Sequence, residues 1–399
     1  MALLTIDNVT QEALAVLHNA LPFCKRINRD YDSEFGVKGS KIGDTLRIRK
    51  PVEYTVRTSL TRSLTTVSED YVSLTMDTIR GIDFDFTDTD LLLKVDDFAR
   101  RYIMPGVKRL ASEMEKVILA KVMPKVPNWV GTPNSAITKD FVLDALTKLN
   151  ENLCPEGDRY LLVTAKSNST LVSALSGLFQ SSSLISEQYK EGVMGVALGF
   201  EFLTSNLMPV QTVGEFAGTI LSNGATQSGA SIAIDGFTNA SGTVKAGTIL
   251  TFSGCNAVNA ETKADTGNLA QFVVTADATI ASNEVDLILS PAVVATGVNQ
   301  NVTSTIADGS TVSWKNVGTT LGLTFRENLA FHKDAFTFIM GKYELPKAVE
   351  DASYQEIDGF RVRVVRYFDG DAGAMNTRMD TIFGSELLYG AFAVRLGSA

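Results

Sequence analysis

From residue 214 to about 324 the chain changes character: Gly, Ala, Ser, Thr, Asn and Val dominate, arginine is absent, and Lys245, Lys263 and Lys315 are its cations. Short alternating runs at residues 231–234, 248–252, 272–275 and 285–289 are separated by Gly, Asn and Asp turns. Several short strands at this spacing point to a small all-β sandwich or barrel. About 110 residues is enough for an independent domain. Beyond it, residues 329–340 and 361–368 resume longer strands like those of the earlier chain, so the segment reads as an insertion and not as a tail. Residues 214–325 carry eight acids against three lysines, more than half of the chain's net charge of −9.

The remainder reads as α+β. In the first 25 residues Leu14, Val16, Leu17 and Leu21 form the apolar stripe of an amphipathic helix, with Asp7 and Glu12 toward its start and Pro22 closing it. A polar, Gly-punctuated link follows, and then the period becomes two. Leu46 and Ile48 alternate with Arg47 and Arg49, and Val52, Tyr54 and Val56 continue the repeat. Val72, Leu74 and Met76 alternate likewise, and Ile82, Phe84 and Phe86 alternate with Asp83 and Asp85. The Thr- and Ser-rich TVRTSLTRSLTTVSED between the first two strands implies a long hairpin with a mobile tip. A lone hairpin is marginally stable in water, so this one is expected to rest against something else.

Phe98, Tyr102, Val107, Leu110, Met114, Val117 and Val122 then mark the strongest helix, interleaved with charged residues. Pro105 should kink or divide it. Residues 90–125 in helix would span roughly 50 Å. Thr138 caps a further helix with Val142, Leu146 and Leu149 on its buried face, stopped by Cys154-Pro155. Residues 160–163 make a short strand, and Ser167 and Asn168 offer caps for a helix through Leu171, Leu175 and Leu178.

Forty-five per cent apolar and 20% charged residues over 399 positions exclude a disordered or collagen-like chain. The acidic balance makes no electrostatic trap for nucleic acid. Cys24, Cys154 and Cys255 stand far apart with no C-x-x-C pair, which implies free thiols in a reducing compartment. The start, MALLTIDNVT, lacks a basic region and an apolar run, so no secretory signal is expected. The most apolar stretch, VMGVALGF, is far short of a membrane span. The sequons at Asn8, Asn168, Asn239 and Asn301 then read as chance matches.

Familiar catalytic signatures are missing: no G-x-S-x-G, no G-x-x-x-x-G-K-[ST], no G-x-G-x-x-G after a strand and no H-E-x-x-H. Asp83, Asp85, Asp88 and Asp90 in DFDFTDTD invite a divalent cation, but strand alternation already explains them as a solvated or subunit-facing edge. The glycine and final glutamate of a calcium loop are also absent. His332 beside Lys333 and Asp334 imitates an acid–base site without a pocket or a nucleophile motif, so a polar turn or strand end is expected. Arg47, Arg49, Arg57 and Arg62 lie along the hairpin without clustered aromatics, which favours protein contacts over nucleic-acid readout. Neither metal nor cofactor is expected.

ASIAIDGFTNASGTVKAGTILTF (230–252), ENLAFHKDAFTF (327–338) and GFRVRVVRYFDGDAGAMNTRMDTIFG (359–384) resemble the major coat proteins of P22-type bacteriophages, as does the order of elements over nearly the whole chain. The resemblance implies an HK97-like capsid fold with an inserted β-barrel. It makes residues 1–43 an N-terminal arm, 44–86 an extended E-loop, and 87–126 the spine helix of the peripheral domain. Residues 127–213 become the first part of the axial domain, 214–325 the insertion, and 326–399 returning core strands. The implied product is a virion shell of pentamers and hexamers around double-stranded DNA, built with a scaffolding protein and a portal and without a membrane. Subunit contacts are then expected at Arg47, Arg49, Arg57, Arg62, Asp83 and Asp85, and scaffold contacts at Asp7 and Glu12. A bacterial surface adhesin is the competing reading of the Gly/Ser/Thr/Asn-rich segment, against which the lack of a signal peptide weighs.

Overall fold

A computed structural model describes residues 14–15, 17, 21–31, 43–52, 54, 60, 70–86, 104–175, 195–238, 241–318, 322–343, 345, 351–357, 359–369 and 374–397. The chain divides into two compact units. The first comprises Met1–Ile48, Val72–Leu119 and Phe336–Glu386; the second comprises Arg49–Tyr71, Ala120–Ala335 and Leu387–Ala399.

Leu14, Leu17 and Leu21 are fully buried, as their place in the apolar stripe predicts. Strand β1 (Thr45–Arg49) pairs with β2 (Tyr71–Thr75) in a two-stranded sheet. Backbone bonds between Gly43 and Met76 (2.8 Å) and between Met76 and Asp44 (3.1 Å) extend this hairpin at its base. The base rests on packed structure, as a lone hairpin must. Met76 is fully buried, and a Cβ at Gly341 or Gly384 would strike the Met76 sulfur or the Thr75 carbonyl. The alternation expected through Val56 ends, among the described residues, at Arg49, and Val56 itself lies outside them. Pro51 has no N–H for a ladder, and Tyr54 lies exposed outside any strand. The hairpin tip around Arg57 and Arg62 lies outside the described residues.

Strand β3 (Thr78–Phe86) precedes helix α1 (Met104–Val122). Pro105 stands at the second described position of α1, and the residues before Met104 that would form the other side of the expected kink or break lie outside the described residues. Val107, Leu110, Met114, Ile118 and Val122 form its buried stripe. Nineteen residues span about 28 Å. The expected continuation upstream, from residue 90, lies outside the described residues.

Next come β4 (Asn128–Val130), α2 (Lys139–Glu151), β5 (Arg159–Val163), α3 (Ala165–Leu175), β6 (Val196–Ala197) and β7 (Phe200–Thr204). The Thr138 hydroxyl accepts from Phe141 N at 3.3 Å and caps α2, as its sequence position predicts. Leu153, at φ 56°, ends that turn before Cys154-Pro155 is reached. The α3 cap is a correction. Thr164, not Ser167 or Asn168, accepts from the Ser167 amide at 3.2 Å, so the helix opens earlier than expected.

Strands β8 (Val210–Thr212) and β19 (Thr324–Arg326) pair antiparallel, entering and leaving the Gly-rich segment side by side. Between them lie β9 (Gly218–Ser222), β10 (Gly229–Phe237), β11 (Ser241–Val244), β12 (Ile249–Phe252) and β13 (Asn256–Val258). They are followed by β14 (Asp265–Leu269), β15 (Phe272–Val274), β16 (Ala278–Ala281), β17 (Val285–Val293) and β18 (Val312–Trp314). Six of them form one sheet in the order β18-β12-β15-β17-β10-β9. A Leu221–Thr311 bridge brings its two ends together, so the sheet closes as a barrel and hides its edges. Alternation explains the interior. Ile232, Ile234, Leu250, Phe252, Phe272, Val274, Leu287 and Leu289 point into one buried cluster.

The chain returns through β20 (Asn328–His332), β21 (Phe336–Met340), β22 (Asp351–Ile357), β23 (Phe360–Asp369), β24 (Ala374–Leu387) and β25 (Ala393–Leu396). The first unit's sheet runs β21-β24-β23-β22, with β3 also paired to β24. Phe338 packs on Phe360 and Phe383 there, and Phe23 meets Phe336 edge-on at 5.7 Å. The second unit holds an open sheet ordered β4-β25-β20-β5-β7-β6. Leu161, Val163, Phe200, Ala330 and Val394 cover it against Val142, Ala145 and Leu149 of α2.

Candidate assembly surfaces and a buried charged node

Arg47 and Arg49 sit two positions apart on β1, both exposed, on either side of buried Ile48. Strand alternation puts them on one face. Between β1 and β2, Leu60 is 99% exposed and Tyr54 71%. Lys50 and Asp70 pair at 3.0 Å across the hairpin with both side chains exposed, a contact worth little in water. Arg57, Arg62, Asp7 and Glu12 lie outside the described residues.

Asp83 is exposed on β3 between half-buried Ile82 and Phe84, as alternation predicts. Its register partner on β24 is Arg378, whose Nε lies 3.8 Å from the Asp83 carboxylate. Asp85 lies opposite Asn376 in the same ladder, and its side chain is outside the description. From Arg378 the charges run inward. Its Nε also donates to Asp380 at 2.8 Å, and Arg363 on β23 donates to the same carboxylate at 2.6 Å. Asp380 is almost fully buried, so two guanidinium groups hold a carboxylate that water does not reach. Arg363 in turn stacks 4.1 Å above the Tyr343 ring. Burial first, and the Asp380 charge second, push the Tyr343 hydroxyl above its ordinary pKa. Sequence reading singled out Asp83 and passed over Asp380, although TRMD offers the same alternation. Only the pairing of β24 with β3 and β23 brings these charges together.

A second node lies in the other unit. Arg395 on β25 is completely buried, and its guanidinium donates to three acceptors: Val126 O at 3.1 Å, Glu327 at 3.1 Å and Gly247 O at 2.7 Å. Asn316 adds a bond to Gly247 O at 2.9 Å and accepts from Ile249 N at 2.8 Å. Desolvation lowers the Arg395 pKa, while Glu327 opposes that shift by charge and hydrogen bond. Gly247 has φ +84°, a conformation that strains any side chain, and a Cβ there would stand 2.8 Å from Gln211 Oε1 and force that side chain to shift.

The reactive residue types are placed as small buried groups. All three cysteines are free and buried. Burial raises each thiol, that of Cys255 to about 11, so little thiolate forms near neutral pH. His332 ends β20, as expected of a strand-end residue. It is buried, its Nδ1 accepts from Asp334 N at 3.2 Å, and desolvation lowers its pKa. Among the described residues no group of three or more His, Cys, Asp or Glu is gathered to hold a metal, and no helix is long and apolar enough to cross a membrane.

The α+β arrangement, rich in sheet and sparing in helix, agrees with the HK97-like capsid fold that the sequence resemblance implies. A major capsid protein of Acyrthosiphon pisum secondary endosymbiont phage 1 is 23% identical over 392 residues, covering 90% of this chain and 89% of that protein. Solved structures similar to it include one of Mycobacterium phage Che8 at 14% identity, covering 95% of this chain and 92% of that one with a TM-score of 0.48. The mature capsid of bacteriophage PhiM1 is similar at 10% identity, covering 91% and 84% with a TM-score of 0.41. A family model described as P22 coat protein, gene protein 5, matches residues 2–390. With nearly the whole sequence inside that match, the chain belongs to the P22 coat protein family and is a phage major capsid protein.

Proposed function

We propose that copies of this chain close into the icosahedral shell of a tailed double-stranded DNA phage, as pentamers and hexamers around the packaged genome. The observation that carries this reading is the match to a coat-protein family along nearly the whole chain. The β1–β2 hairpin supports it: Leu74 and Met76 near its base are buried, while Arg47, Arg49, Tyr54 and Leu60 are exposed. Exposed apolar groups and exposed cations both suit a contact with a second copy, where the charges orient and the apolar groups contribute area. Heterologous contacts that close by rotation turn one such surface into rings.

In this reading residues 1–43 are the arm, 44–86 the E-loop, 87–126 the spine segment, 127–213 and 326–399 the core, and 214–325 the inserted domain. Arg57 and Arg62 join Arg47 and Arg49 in contacting a neighbour, Asp83 and Asp85 face another subunit, and Asp7 and Glu12 meet a scaffolding protein. A portal occupies one vertex, and the wall performs no catalysis. Net acidity keeps DNA from adhering tightly to it, leaving nonspecific contact at basic patches on the inner face. Assembly takes place in the host cytoplasm before the virion is complete. Arg57→Ala combined with Arg62→Ala tests the hairpin: shells should fall in sedimentation and electron microscopy while the unassembled chain stays folded. Undiminished shells would exclude those two residues from the contact.

A further inference from the structure

The barrel is joined to the second unit's open sheet by two passes of chain, β8 and β19, paired over three residues. It has a hydrophobic cluster of its own. A ladder this short would leave it free to swing. Besides bonds such as those from Asn268 to Glu151 at 3.2 Å, Asn316 to Glu327 at 3.4 Å and Gln211 to Ala246 O at 3.0 Å, three contacts oppose swinging. Ile249 and Val273 of the barrel pack with Trp129, Val213 and Phe325 in a separate cluster. The Gln271 amide accepts from Trp129 N at 2.7 Å and donates to Trp129 O at 3.1 Å, completing the edge of β4 as a neighbouring strand would. The third contact is Arg395. Its one guanidinium spans a residue two positions before the open sheet's first strand (Val126), a barrel loop (Gly247) and the first residue after the returning ladder (Glu327).

An apolar seat tolerates small slides, because its contacts are numerous and undirected. A planar guanidinium with three fixed acceptors does not, since any slide strands a buried charge or carbonyl. We propose that Arg395 is the positioning residue that sets the barrel at one orientation on the open sheet, so that both enter the shell as a single body. This rests on the shell reading for its consequence and on geometry alone for its mechanism.

The test is hydrogen exchange on the unassembled full chain, followed by electron microscopy of assembled material, for wild type, Arg395→Met and Arg395→Lys. In Arg395→Met the barrel-interior amides of Ile232, Ile234 and Val274 should keep wild-type protection. The Trp129 and Ile249 amides, which bond to Gln271 and Asn316, should exchange about tenfold faster or more. Shells should become mixed in size or remain open. Lys, a point donor that cannot span three acceptors, should restore little of either. Unchanged exchange at Trp129 and Ile249, equal loss of protection throughout the barrel, or full restoration by Lys would overturn the proposal. Gln271→Ala buries no orphan charge and covers the case in which Arg395→Met does not fold. It should speed exchange at Trp129 and leave Ile249 protected by the intact Arg395 node, and loss at both overturns the proposal. Wild-type protein that forms no shell counts against the shell reading, while the exchange comparison still judges Arg395.

Discussion

Gly81 on β3 stands opposite Asp380 on β24, so close that a Cβ at position 81 would lie 2.7 Å from Asp380 Oδ1. The missing side chain is what lets a buried carboxylate sit in the ladder and receive Arg363 and Arg378. Gly81→Ala must displace either the Asp380 side chain or the strand. It is expected to cost about 1–3 kcal/mol, read as a lower urea midpoint of the unassembled chain. An unchanged midpoint would mean that the ladder yields without loss.

The charges of that sheet should differ in value along their length. Asp380→Ala leaves Arg363 without its buried counterion and is expected to cost about 3–5 kcal/mol. Asp83→Ala, at the exposed end and 3.8 Å from Arg378, is expected to cost below about 1 kcal/mol. Equal losses in denaturation would contradict the burial assigned to Asp380.

Helix caps supply a second pair. Thr138→Ala removes the hydroxyl that accepts from Phe141 N, and Thr164→Ala the one that accepts from Ser167 N. Each should lower stability by about 1 kcal/mol. Ser167→Ala should act more weakly as a cap variant, though it also loses the bond to Asn328. A Thr164 variant as stable as wild type would return the cap to Ser167.

His332 gives the unassembled chain a pH dependence with a definite sign. Desolvation lowers its folded pKa below 6.5, so between those two values the unfolded chain binds more protons. Stability from this group is present above about pH 6.5 and is lost as pH falls toward the lowered folded pKa. Asp334 and Asp158 oppose the shift without reversing it. Subtracting the thermal stability of His332→Gln from that of wild type at each pH isolates the effect. A difference that grows in favour of wild type on acidification would contradict the burial of a neutral ring.

What the sequence made legible was local. Alternation around Ile48, Ile82 and Leu287 placed strands and faces correctly, because burial on one side of a strand writes itself as a period of two. Thr138 announced its helix, whereas Thr164 did not, since Ser167 and Asn168 nearby looked like better caps. Pro51 overrode an alternation that otherwise ran on to Val56. The charged nodes were illegible for a different reason. Arg395 and Glu327 are 68 residues apart, and AVRL at a chain end reads like any strand with one exposed cation. Asp380 likewise needed the register of three strands before its partners appeared. The coat-protein reading entered through resemblance, since no single residue carries chemistry that names a container wall.

Electron microscopy of the purified full-length chain tests the central claim most directly. Closed shells are the expected product. A preparation that yields only isolated monomers or open tubes contradicts it.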